Sequence, residues 1–175
     1  MPTSAQEPRL LRWLDCVTEG IGRAIAWLVI IMMLVQFAIV IMRYWLGINS
    51  IVMQESVMYM HAAVFMLGAA CTLKRDGHVR VDIFYRRLSD RGRAWIDLMG
   101  TLLLLIPVSI FIAVSSFHYV RSSWAIMERS SDGGVPGVYL LKTLMLVMVA
   151  LLLLQAVAQL IRQTLILRGK LPTTP

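Results

Sequence analysis

Four long stretches without a single Asp, Glu, Lys or Arg dominate this chain. They cover residues 24–42, 56–73, 98–120 and 143–161, which is 19, 18, 23 and 19 residues. A helix rising 1.5 Å per residue needs about 20 apolar residues to cross a hydrocarbon core of about 30 Å. Each stretch therefore has the length of a membrane span. Only 15% of the 175 residues are charged and 58% are hydrophobic, whereas a soluble domain carries about 25% charged residues. The expected fold class is an all-α membrane protein with four transmembrane helices. The spans fall at about 21–45, 51–73, 95–120 and 136–161 of one integral membrane domain covering 1–175. The ends, 1–8 and 168–175, read as disordered tails.

The formal net charge is +7. On a soluble surface that would suggest nucleic acid; here the basic residues sit between apolar runs, so they report topology instead, and no nucleic-acid partner is expected. Arg9, Arg12 and Arg23 precede the first run, and seven Lys/Arg from Lys74 to Arg93 lie between the second and third. Arg162, Arg168 and Lys170 follow the fourth. Against these thirteen, the other side holds Arg43, Arg121, Arg129 and Lys142. The positive-inside rule then puts both termini and the central loop in the cytoplasm. The expected location is a membrane, crossed four times with both termini on the cytoplasmic side.

Local signals fill in the connections. Residues 10–22 mix Leu and Trp with charge and suggest a short surface helix leading into the first span. That span is followed by Arg43-Tyr44-Trp45 instead of a small-residue cleavage site, so it is expected to be an uncleaved span. Val81, Phe84, Leu88 and Trp95 are spaced to share one helical face, with Asp82, Arg86, Asp90 and Arg93 opposite. This predicts an amphipathic interfacial helix on the cytoplasmic side between spans two and three. Pro107 is expected to kink the third span. Gly133-Gly134-Val135-Pro136 reads as a turn entering a helix whose first turn holds Pro136. The segment after Arg162 shows no obvious fold.

Ionisable groups inside spans are costly and mark candidate sites. Glu55 and Lys142 both lie near the outer face, where Lys142 is placed to pair with Glu55 or with Glu128. His61 and His118 fall at similar depth on the second and third spans, which leaves a b-type haem held between facing helices as the alternative. His78 has no histidine partner on its side. Cys16 and Cys71 show no zinc or haem-attachment spacing. Neither a phosphate loop nor a nucleophile elbow is present, so no enzymatic activity is expected.

Three blocks of residues carry a family resemblance. Gln54-Glu55, Gly68-Ala69-Ala70 and Asp76-Gly77-His78-Val79-Arg80-Val81-Asp82 form the first part. Ser123-Trp124, Glu128 with Ser130, Gly134 with Pro136, and Lys142 form the second. Together they resemble the small permease subunit of tripartite ATP-independent periplasmic (TRAP) transporters, a DctQ-like family. The likeness runs roughly from Arg43 to Gln159; Gln54 departs from it, because many relatives carry a second acidic residue there. The resemblance implies a scaffold subunit, located in a bacterial inner membrane, of a sodium-coupled secondary transporter importing an organic acid or related solute. Its implied partners are a large multi-span permease subunit, a periplasmic solute-binding protein and membrane lipids. No cofactor is expected in this subunit, and sodium coupling is expected in the large one. Glu55, His78, Arg80, Asp82, Glu128, Ser130, Gly134, Pro136 and Lys142 become structural or assembly candidates, with Arg80 and Asp82 pinning the interfacial arm.

Overall fold

A computed structural model describes residues 9–75, 77, 88–131 and 133–169. Its elements are helix α1 (Arg9–Tyr44), α2 (Ile51–Lys74), α3 (Asp90–Gly100), a π turn (Thr101–Leu105), α4 (Ile106–Ala125) and α5 (Val138–Leu167). No strand occurs among the described residues. Helix α3, the π turn and α4 run on as one rod, so four helices are long and apolar enough to cross a membrane.

The rods outrun their apolar stretches. Helix α1 has 36 residues and is about 54 Å long at 1.5 Å per residue, well beyond the roughly 30 Å of hydrocarbon. The separate surface helix expected over residues 10–22 is instead the start of α1. Leu11, Leu14 and Thr18 are buried there, on a stripe with helical spacing, and Leu11 and Leu14 pack on Ala158 with Leu154 alongside. Contact with α5 keeps the segment helical. In the same way α5 continues to Leu167, through residues expected to lack a fold.

The turns follow their chemistry. Gly47, at φ +68°, ends α1 in the left-handed conformation that glycine adopts without steric cost; the Ile48 N–H closes back on the Met42 carbonyl at 2.9 Å. The Ser50 hydroxyl caps α2 by accepting from the Met53 N–H. At the far end of α2 the Gly77 N–H bonds to the Thr72 carbonyl at 2.9 Å, a six-residue closure that often ends helices.

The interfacial helix expected from Val81, Phe84, Leu88 and Trp95 does not extend as one face to Trp95. Val81 and Phe84 lie outside the described residues. Leu88 and Ser89 are non-helical, and the Ser89 side chain accepts from the Gly92 N–H, capping α3. Trp95 thus belongs to the rod of the third span. A serine that bonds its own backbone three residues on begins a new helix there.

Helix α5 is the centre of the arrangement. It packs against α1, α2, α3, the π turn and α4, while α1 packs on α2. The third span leans chiefly on α5, so the helices form an open cluster, not a four-cornered bundle. Its seam is a row of small residues: Ala94, Thr101, Ser109, Ser116 and Ser123 are all buried. Their spacing is seven, eight, seven and seven. Seven residues make nearly two turns; an eighth would swing the next side chain round by about 100°. The extra residue falls in the π turn, whose wider loop absorbs it and keeps the seam on α5. Pro107 follows directly. The Ile106 N–H already reaches back five residues to the Thr101 carbonyl, and Pro107 has no N–H to give. The departure expected at Pro107 thus takes the form of a π turn in the preceding residues.

Candidate functional site

The ion pairs gather at the two ends of the helices. At the end formed by the α1–α2 and α4–α5 connections, Glu55 sits in the second turn of α2. Its Oε1 accepts a short hydrogen bond from the Ser130 hydroxyl, and its Oε2 accepts from the Val135 N–H at 2.6 Å. The loop passes so close that a Cβ on Gly134 would overlap the Glu55 carboxylate. Only glycine leaves room for this latch. The Gly137 N–H bonds the Val135 carbonyl at 2.9 Å across Pro136, a three-residue turn that suits proline's fixed φ. Pro136 therefore stands two residues before α5, which starts at Val138, and not in its first turn.

Beside the latch stands an ion pair. Just past the end of α4, Met127 stands at φ +45°, a left-handed position usually taken by glycine and costing other residues about 1–2 kcal/mol. The following Glu128 N–H bonds the Ser123 carbonyl at 3.1 Å. This tight reversal turns Glu128 back toward α5, where the Lys142 Nζ meets its Oε2 at 2.5 Å. The ammonium also lies 3.9 Å from the centre of the Tyr119 ring, a cation–π contact. Trp124 completes the corner: its Nε1 donates to the Thr143 hydroxyl at 2.8 Å, and its ring meets that of Tyr139 edge-on at 4.7 Å. Lys142 is thus paired with Glu128, while Glu55 is held by the loop.

The ammonium of Lys142 holds the Glu128 carboxyl below its ordinary value of 4.5. Because the folded value is the lower one, the pair stabilises the fold fully above pH about 4.5 and loses that contribution as pH falls through the lowered value. Melting temperature measured between pH 3 and 7 is expected to fall more steeply on acidification in the wild type than in Glu128→Gln. Parallel curves would contradict this role.

The opposite end, where α1 begins and α5 finishes, holds a second clasp. Arg162 of α5 meets Asp15 of α1 at 2.7 Å. Lys74, the last residue of α2, lies 2.7 Å from Glu19 and 3.7 Å from Asp15, and donates to the Asp15 carbonyl at 3.1 Å. One turn deeper the buried Thr18 hydroxyl meets Gln155 Oε1 at 3.2 Å. The Cys71 thiol bonds the Thr18 carbonyl at 3.0 Å, with Gly22 giving it room. Three helices are tied by one group of charges. In the sequence its members carry no signal beyond topology, because partners 147 residues apart, as Asp15 and Arg162 are, leave no local pattern. The stripe of Leu11, Leu14 and Thr18 was the one available sign that this segment is buried.

Of the sequence candidates, Glu55, Ser130, Gly134 and Pro136 meet at the latch, and Glu128 and Lys142 at the neighbouring pair. His78, Arg80 and Asp82 lie outside the described residues. The haem alternative is not supported. His61 and His118 are both exposed, and α2 packs on α1 and α5 instead of α4. His118 Nδ1 is engaged by the Ser122 hydroxyl at 3.4 Å. Among the described residues no three His, Cys, Asp or Glu side chains gather to hold a metal ion.

Four helices long and apolar enough to cross a membrane, tied to one another by charged clasps at either end, mark a multi-pass membrane protein. The family model described as "Tripartite ATP-independent periplasmic transporters, DctQ component" matches residues 32–165. The chain belongs to this family, a transporter component and not an enzyme family. The match includes the latch, the Glu128–Lys142 pair, Lys74 and Arg162; Asp15, Thr18 and Glu19 fall before it. Comparison with curated proteins and with solved structures returned no match.

Proposed function

We propose that the chain is the small scaffold subunit of a sodium-coupled TRAP transporter in a bacterial inner membrane. It braces a large multi-span permease that carries the solute and sodium sites, and a periplasmic binding protein delivers an organic acid or related solute. The observation carrying this reading is the distribution of polarity. Between residues 24–42, 56–73, 98–120 and 143–161 there is no Asp, Glu, Lys or Arg. The charged groups near the span ends at Glu55, Lys142, Lys74 and Arg162 are engaged in clasps. A charged solute and its ions need polar groups near mid-membrane, and these helices offer only isolated uncharged ones such as Gln36.

The distribution of Lys and Arg supports an orientation with both termini cytoplasmic. The latch and the Glu128–Lys142 pair then face the periplasm. Residues 78–87 form the cytoplasmic connection, in which Arg80 and Asp82 anchor the arm beside the large subunit. Co-purification with the large permease tests the assembly role. The full chain is expected to be retained stoichiometrically, and the Arg80→Ala/Asp82→Ala double variant to be retained less. Failure of the unaltered chain to co-purify would overturn the scaffold reading. Cys16 is exposed and tests the sidedness: an impermeant thiol reagent is expected to label it in inside-out vesicles and not in intact spheroplasts.

A further inference from the structure

The third span turns its small-residue seam toward α5 and leaves the other side open. There Trp95, Ile96, Met99, Gly100, Leu103 and Leu104 line a groove of about 520 Å³. The lining forms two rows at four-residue spacing, 95–99–103 and 96–100–104, the spacing of side chains stacked along one helix face. Gly100 floors the groove: nothing lies within 4 Å of where its Cβ would be. One step of four before Trp95, in the same row, comes Arg91. Its side chain is exposed and has no partner among the described residues. The Trp95 indole N–H likewise makes no hydrogen bond there, although the residue is in the first turns of α3.

We infer that this groove is a binding site for one anionic phospholipid, with an acyl chain along the two apolar rows and the phosphate held by Arg91 and the Trp95 N–H. The charge pattern selects this occupant. An exposed guanidinium at the head of an apolar groove, without a partner among the described residues, matches a ligand with a single anionic head and a hydrocarbon tail. Tryptophan at the start of a span sits at headgroup level, where its ring is apolar and its N–H meets polar groups. The level is fixed by the neighbouring helix: Gln163 donates to Asp97 at 3.3 Å, so the head of the groove lies beside the last turns of α5, which ends at Leu167. The groove also has the volume of a ligand site, typically about 300–1,000 Å³. A second helix could pack its side chains into the groove, but it would have to bring an acid to Arg91.

The test uses the full chain in mixed micelles of phosphatidylglycerol and phosphatidylcholine with identical acyl chains, read by native mass spectrometry. The wild type is expected to retain one phosphatidylglycerol in preference to phosphatidylcholine. Arg91→Gln is expected to lower that preference about fivefold, the effect of one basic residue near an anionic headgroup. Gly100→Leu fills the groove and is expected to lower retention of both lipids at least fivefold. Leu103→Asn, at a side chain 58% exposed, makes the same comparison without disturbing helix packing. Equal retention by the wild type and these variants would overturn the assignment. So would a photo-crosslinker at position 99 that, in native membranes, captures the large permease or a second copy of this chain instead of lipid.

Discussion

Gly134→Ala is expected to lower the stability of the detergent-solubilised protein by about 2–4 kcal/mol. The added methyl would overlap the Glu55 carboxylate, and forcing even one carbon into a filled site typically costs about 1–3 kcal/mol. Relief of the overlap displaces Glu55 from the Ser130 hydroxyl and the Val135 N–H, and hydrogen bonds to a charged group contribute about 1.5–3 kcal/mol. The two costs overlap, because moving Glu55 answers both. A double-mutant cycle separates this cause from general strain. Glu55→Ala removes the group that the methyl strikes, so Gly134→Ala should cost much less in that background. Additive losses would mean that the glycine is needed for some reason other than the latch.

Asp15→Ala is the second large effect, expected at about 1–3 kcal/mol. Asp15 is the shared anion of the clasp at the other end, meeting Arg162 at 2.7 Å and Lys74 at 3.7 Å. Its removal takes the acid from the part-buried Arg162, whose side chain is 25% exposed, while Lys74 keeps Glu19 at 2.7 Å. Exposed pairs contribute up to about 1 kcal/mol, and breaking a fully buried one costs about 3–5 kcal/mol; this site lies between. The loss should appear as earlier thermal unfolding and as faster amide exchange in the first turns of α1, which this contact holds on α5. Asp15→Glu should retain most of the stability. Unchanged melting in Asp15→Ala would show that the apolar stripe of Leu11 and Leu14 suffices to dock the helix.

Much of this architecture was legible before any coordinates, because the cost of putting charge into hydrocarbon writes the spans into the sequence. The four runs follow from that cost, and so does the prominence of Glu55 and Lys142, with Glu55 and Glu128 both open as partners of the lysine. The helix ends did not. Apolar runs measure the hydrocarbon, whereas a helix continues into water wherever a neighbour holds it, as α5 holds residues 11–18 of α1. The serine that starts α3 is equally local. The periodicity of Val81, Phe84, Leu88 and Trp95 hides it by running across it, whereas Ser89 caps a new helix between Leu88 and Trp95. The π turn was hidden for another reason. Its signature is a seven-residue spacing of small side chains broken once by eight, which has meaning only when the opposing face of α5 is known. The site divides in the same way. Glu55, Glu128 and Lys142 stood out as charges in apolar company, but the need for glycine at 134 is set by a carboxylate 79 residues away in sequence.

Under the proposed function these four spans are a brace held at both ends, with no polar path of their own. Sodium-driven solute uptake in proteoliposomes tests that most directly, comparing the purified chain alone with the chain assembled with its large permease and supplied with the binding protein. The chain alone is expected to give uptake no higher than empty liposomes, and the complete assembly to restore it. Sodium-dependent uptake by the chain alone would contradict the account.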